Sequence, residues 1–154
     1  MNSASSESST DTSIDTSAET APFVWPTVNY RDAQAAIAFL VEAFGFVSTA
    51  TYTAEGDTAT VEHAELRWPE GGGIMLGTAD RPNSVFSQRP TGVASSYVVT
   101  DQPDAVFERA TAAGAEVVRG LVDEDYGSRG FSVRDPEGNI WSFGTYRGQS
   151  LPAS

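Results

Sequence analysis

His63 is the only histidine in the chain. Glu65 and Arg67 follow it at two-residue spacing in a run that reads as a strand, so all three side chains project from one side. A histidine beside a carboxylate can act as a general base or as a donor that orients a ligand. The same trio reads more readily as a polar cross-strand cluster facing solvent or a subunit partner, since a His–Glu pair without an adjacent nucleophile is common by chance. Other chemistry is sharply limited. The chain has no cysteine, which excludes disulfides, thiolate catalysis and cysteine-ligated zinc or iron–sulfur clusters. All nine basic residues are arginine, so a lysine Schiff base and a P-loop lysine are excluded as well. Gly71-Gly72-Gly73 lies in a strand–strand turn with no helix after it, the wrong setting for a phosphate cradle. No Gly-x-Ser-x-Gly elbow is present, and any serine triad would have to use His63.

A length of 154 residues fits one domain, and 40% hydrophobic content is enough for a packed core. The formal charge of −12 repels phosphate backbones and anionic leaflets and favours cationic ligands, so neither nucleic acid nor a membrane is an expected partner. Residues 1–21 are almost wholly Ser, Thr, Ala and acid and are expected to form a disordered acidic tail. No basic start, apolar leader or long apolar span appears, and the expected location is cytoplasmic.

Hydrophobic periodicity supplies the elements that must hold these residues. Phe23 to Tyr30 reads as a strand in which Trp25, Thr27 and Asn29 share a face. Arg31 to Phe44 reads as a helix, with apolar Ala36, Ile37, Leu40, Val41 and Phe44 on one stripe and Gly45 ending it. Strands follow at Val47 to Thr53, Thr58 to Trp68 and Gly73 to Gly77. The plan then repeats: a strand at Val93 to Thr100, a helix at Pro103 to Ala113, and strands at Ala115 to Val118, Gly130 to Arg134 and Ile140 to Tyr146. Asp32 and Gly45 match Asp101 and Gly114, while Pro69-Glu70-Gly71 matches Pro136-Glu137-Gly138. The expected fold class is α+β: two βαβββ modules forming a curved mixed sheet or barrel with a central cleft and the helices outside. Module one is placed at residues 22–77, the linker at 78–92 and module two at 93–147, making a single domain of 22–147 followed by a flexible end at 148–154. Phe39, Leu40, Phe44, Trp141 and Phe143 are assigned to the core, and Arg134 is expected to fix the Asp135 turn through a salt bridge.

The run Tyr126-Gly127-Ser128-Arg129, Val133-Arg134-Asp135-Pro136-Glu137-Gly138-Asn139 and Trp141-Ser142-Phe143-Gly144 resembles the second-module signature of the vicinal oxygen chelate superfamily. The first helix and His63-Ala64-Glu65-Leu66 are similar to its glyoxalase and bleomycin-resistance branch, including the PhnB-like proteins. The resemblance implies up to four metal-ligating strand positions, which fall at or near Trp25, Met75, Ser95 and Ser142. None is an imidazole or a carboxylate, so no metal and no cofactor is expected. The resemblance instead implies a largely apolar ligand pocket lined by Trp25, Thr27, Asn29, Met75, Ser95, Tyr97 and Ser142, with Arg129 guarding the cleft or pairing with an acid. It also implies a homodimer.

Three functional classes follow. One is a metal-independent binding protein of the bleomycin-resistance type, sequestering a small organic molecule in an apolar cleft, with the acidic charge favouring a cationic one. The second is a glyoxalase-like lyase or isomerase, or a dioxygenase with a non-standard site, with His63 and Glu65 as its catalytic candidates. The third is a structural or regulatory partner protein, which would require an exposed hydrophobic groove.

Overall fold

The computed structural model describes residue 22 and residues 24–153; the tail expected over residues 1–21 lies outside the described residues. Module one consists of β1 (Thr27–Tyr30), α1 (Ala33–Phe39), a π-helical turn (Leu40–Phe44), β2 (Val47–Ala54), β3 (Asp57–Arg67) and β4 (Gly73–Thr78). Module two consists of β5 (Ser95–Val99), α2 (Pro103–Ala112), β6 (Glu116–Asp123), β7 (Arg129–Arg134) and β8 (Ile140–Gly144). The βαβββ repeat read from the sequence is therefore present twice. The sheets run β1-β4-β3-β2 and β5-β8-β7-β6 and do not close into a barrel. In each, the first strand lies parallel to the last and the other pairs are antiparallel.

The first strand is shorter than the sequence suggests. Pro26 has no N–H to donate, and its carbonyl accepts from Met75 N at 2.9 Å just before the ladder begins. Trp25 therefore precedes β1 instead of sharing its face. Conversely, β6 runs on to Asp123 past charged Arg119 and Gly120, where irregular pairing with β7 interrupts the alternation that marks a strand. Asp32 caps α1 by accepting from Ala35 N at 3.0 Å. The helix widens into its π turn and stops at Gly45, whose φ of 94° suits glycine. Arg109, on α2, donates from Nε to Glu42 O at 2.6 Å and from Nη2 to Val41 O at 2.9 Å, capping that helix end from the other module.

One face of each sheet contributes to a single shared core. Leu66, Trp68, Ile74 and Leu76 from module one and Phe131, Val133, Trp141 and Phe143 from module two are buried together with Leu40, Phe44 and Phe46. Trp68 lies 5.7 Å from Phe143 between ring centroids, Phe46 lies 5.6 Å from Trp141, and Phe44 lies 4.9 Å from Phe143. The expected core residues Leu40, Phe44, Trp141 and Phe143 are all buried, and Phe39 packs against them.

The two repeated turns clasp the modules reciprocally. Glu70 accepts from Asp101 N at 2.7 Å, at the start of α2. Glu137 accepts from Arg31 N at 2.6 Å and Asp32 N at 3.0 Å, at the start of α1. The Glu137 turn is built on a buried polar cluster. Asp135 Oδ1 accepts from the backbone N–H groups of Glu137 and Asn139, each at 3.0 Å. Its Oδ2 accepts from Tyr30 Oη at 2.7 Å, Asn139 Nδ2 at 3.0 Å and Trp141 Nε1 at 3.1 Å. The expected Arg134–Asp135 salt bridge is not what fixes this turn: Arg134 points along the sheet to Glu116, at 3.3 Å. A carboxylate already holding five N–H and O–H donors has no need of a guanidinium.

Candidate functional site

Because the core-side faces of the sheets meet one another, the opposite faces look outward in different directions, and each carries its own cavity. The cavity on module one has a volume of about 230 Å³ and is walled by Thr27, Asn29, Glu62, His63, Met75, Gly77, Arg81 and Phe86, with backbone from Val28 and Leu76. Strand pairing explains this grouping. Thr27 pairs with Met75 and Asn29 with Gly77 on adjacent strands, so their side chains share a face. On β3 a bulge leaves Glu62 unpaired between Val61 and His63, so Glu62 and His63 both reach the cavity.

The cavity on module two has a volume of about 180 Å³ and is lined by Tyr97, Arg119, Glu124, Tyr126, Ser128, Ser132, Ser142 and neighbouring backbone. Ser132 and Ser142 share a hydroxyl hydrogen bond of 2.7 Å across β7 and β8. Tyr97 Oη donates to Tyr146 O at 2.7 Å, and partial burial raises its phenol above the ordinary range. Arg119 and Glu124 form an ion pair at the rim. The cavities of the two modules share no residue.

The structure thus brings Thr27, Asn29, His63 and Met75 together on one face, and Tyr97 and Ser142 together on another. Trp25, Ser95, Glu65 and Arg129 line neither. Trp25 donates from Nε1 to Pro22 O at 2.8 Å, and its ring lies over Gly73, where an added Cβ would come within 2.7 Å of it. Arg67 stands 5.9 Å from the centroid of that ring. Ser95 is exposed at the start of β5. Arg129 is held by Asp104 at 2.8 Å and Asp123 at 3.1 Å, the pairing alternative raised for it. The same guanidinium holds the Asp104 carboxyl below its ordinary range.

His63 Nε2 lies 3.5 Å from Glu65 Oε1, longer than a good hydrogen bond, and the ring stacks on Tyr52 at 6.1 Å. This fits an orienting or cross-strand role better than a tight acid–base pair.

The positions implied for a metal do not form a donor set. An indole N–H can only donate, Met75 offers a thioether, and the hydroxyls of Ser95 and Ser142 are on the other module. Among the described residues no group of three or more His, Cys, Asp or Glu side chains could hold a metal ion.

Sequence reading missed Arg81 and Phe86 of the first cavity, both in the linker, and Arg119 and Ser132 of the second. The linker is an ordered loop. Ser87, fully buried, accepts from Arg81 N at 2.9 Å, and its carbonyl accepts from Asp80 N at 2.7 Å. Asn29 Nδ2 donates to Phe86 O at 2.5 Å and ties the loop to β1. The available signal was an apolar pair, Val85-Phe86, in an otherwise polar connection.

Comparisons with known proteins place this geometry among relatives. Residues 23–143 match a family described as the glyoxalase/bleomycin resistance protein/dioxygenase superfamily. An uncharacterised protein of Mycobacterium bovis is 38% identical over 130 residues, covering 80% of this chain and 82% of its own length. The crystal structure of TioX from Micromonospora sp. ML1 superposes with a TM-score of 0.68 at 32% identity, covering 80% of this chain and 97% of that one. TnmS3, an antibiotic binding protein from Streptomyces sp. CB03234, shares the fold at 24% identity with a TM-score of 0.57, covering 76% of this chain and 88% of that one.

Proposed function

Since this chain belongs to the glyoxalase/bleomycin resistance protein/dioxygenase superfamily, we propose that it is a metal-independent binding protein for a small organic molecule, held in a cleft that a second copy completes. The observation that carries this reading is the separation of the two cavities. Each outward face offers an apolar surface with a few polar atoms, the usual make-up of an organic-ligand site. Neither encloses a ligand alone, and a two-fold dimer setting the module-one face of one subunit against the module-two face of the other would make two full clefts. TnmS3, described as an antibiotic binding protein, supports a small-molecule role. The donor chemistry at Trp25, Met75, Ser95 and Ser142 supports the absence of a metal step.

The test begins with a thermal-shift screen of aromatic compounds; a ligand binding the native state at 100 times its Kd adds about 2.7 kcal/mol. Met75→Trp and Ser142→Trp would each block one face. Each variant alone should lose binding of a compound found in the screen, and mixing them under subunit exchange should restore part of it, because one cleft of the mixed dimer is clean. Light scattering should give a dimer. A monomer that binds fully, or a mixture that never recovers, sinks the composite cleft.

The catalytic alternative rests on His63 reaching the same cavity as Thr27 and Asn29. It predicts turnover of a bound compound that His63→Ala abolishes while binding persists. Binding without turnover favours sequestration.

A further inference from the structure

We propose that Arg81 is the specificity-determining anchor of the module-one cavity and selects ligands that carry a carboxylate next to a flat apolar ring. The inference rests on the small-molecule reading above and names the ligand chemistry.

Arg81 is held by its backbone and by one of its three guanidinium nitrogens. Nε donates to Thr78 O at 2.9 Å, and the backbone N donates to the buried Ser87 hydroxyl at 2.9 Å. These bonds fix where the guanidinium sits and the plane it lies in. The terminal nitrogens Nη1 and Nη2 form no hydrogen bond or ion pair with any described residue. Nη2 lies against Gly77 at the cavity wall, where an added Cβ would come within 3.3 Å of it. Gly77 also lacks room on its backbone side, since the same Cβ would meet the carbonyls of Glu62 and Val61 at 3.2 and 3.3 Å. The glycine leaves space for Nη2 beside the strand.

With Nε committed, the exposed edge is the Nη1–Nη2 pair, two parallel N–H donors at the spacing of a carboxylate's oxygens. Besides the polar Asn29, Glu62 and His63, the wall offers apolar surface from Met75, the Thr27 methyl group and Phe86. Phe86 is 75% exposed on a loop held by internal hydrogen bonds, a large aromatic surface fixed in place at the mouth of the cavity. A ring resting on Phe86 and Met75 would bring its carboxylate to Arg81. Glu62, which also flanks Gly77, has an exposed side chain, where water screens its repulsion. The overall charge of −12 acts at long range and slows the approach of anions, but it does not supply the contact partner; Arg81 does.

The test is a matched pair of probes, 2-naphthoate and 2-naphthalenemethanol, titrated against the full chain by calorimetry at physiological salt. The expected result is at least about ten-fold tighter binding of the carboxylate, the scale of a hydrogen bond to a charged group. That preference should vanish in Arg81→Gln and shrink in Arg81→Lys, which keeps the charge and loses the fork. Circular dichroism and melting temperature check that both variants fold, and Arg81→Lys keeps the test decisive if Arg81→Gln does not. Equal binding of the two probes by the native chain, or a preference unchanged in the variants, overturns the role of Arg81 and leaves the cavity standing. Binding of neither probe at millimolar concentration overturns the cavity reading and the anchor with it.

Discussion

Removing the Asp135 carboxylate should be the most damaging single side-chain truncation outside the apolar core, and its cost can be worked from the contacts. Asp135→Ala leaves Tyr30 Oη, Asn139 Nδ2 and Trp141 Nε1 without their acceptor, and the residues that carry them are 0%, 1% and 1% exposed, so water cannot replace it. Removing one member of a buried charged network costs about 3–5 kcal/mol, a large part of the total stability of a domain of this size. Tyr30→Phe removes one donor and leaves the carboxylate its other four, so the cost should be about 1.5–3 kcal/mol. The two changes must not add. Once the carboxylate is gone the Tyr30 hydroxyl has nothing to bond, and the double variant should be about as stable as Asp135→Ala alone. Urea titrations of the four proteins give the coupling, and Asp135→Asn, which keeps one acceptor oxygen, replaces alanine if that variant is unfolded. A single-variant loss under about 0.5 kcal/mol, or additivity within that margin, would refute the clasp. A second signature is alkaline. Burial, and after it the Asp135 charge, raise the Tyr30 phenol far above its ordinary 10.0. The unfolded chain therefore gives up this proton first, and stability that is intact below pH 10 should fall as pH climbs beyond it. Tyr30→Phe should flatten that fall.

Other outcomes follow from the same geometry. Gly73→Ala should cost about 1–3 kcal/mol by urea titration, because its Cβ meets Leu66 O and the Trp25 ring, both at 2.7 Å; a neutral result would mean that the Trp25 ring is free to move. Arg109→Ala should cost about 1 kcal/mol or more by removing two hydrogen bonds to the carbonyls at the end of the first helix, and hydrogen exchange should speed up there before it does elsewhere. Plasma mass spectrometry of purified, unchelated protein should find no stoichiometric zinc, nickel, iron or manganese; one metal per chain would break the site assignment.

The repeat was legible because Gly and Pro punctuate both halves at matching offsets, and each helix carries an unbroken apolar stripe. The core aromatics followed from that stripe and from alternation in β8. Three features were not legible, each for a physical reason. Trp25 sits where a two-residue alternation predicts a strand face, but Pro26 delays the ladder, and the indole turns to Pro22 and Gly73. Asp135 next to Arg134 invites a sequence-local ion pair, yet the acid is satisfied by Tyr30, 105 residues away, a contact no local pattern announces. Arg81 and Phe86 lie in a Pro- and Ser-rich connection whose order comes from the buried hydroxyl of Ser87. Thr27, Asn29 and Met75 line one cavity and Tyr97 and Ser142 another, a division the sequence did not announce, because spacing along a strand does not tell which way a whole sheet faces.

The reciprocal clasp has a consequence for how the chain comes apart. Each helix start is capped by a turn belonging to the other half, and the end of α1 is sealed by an arginine from α2. Neither half carries all the side chains that hold its own helix ends. A chain cut between Pro82 and Asn83, in the exposed connection, should therefore behave as two fragments that are individually unstructured and fold only on meeting. Folding and recombination of the halves would be one event, and the outward faces would be free to diverge in sequence while the clasp holds both modules to a common scaffold.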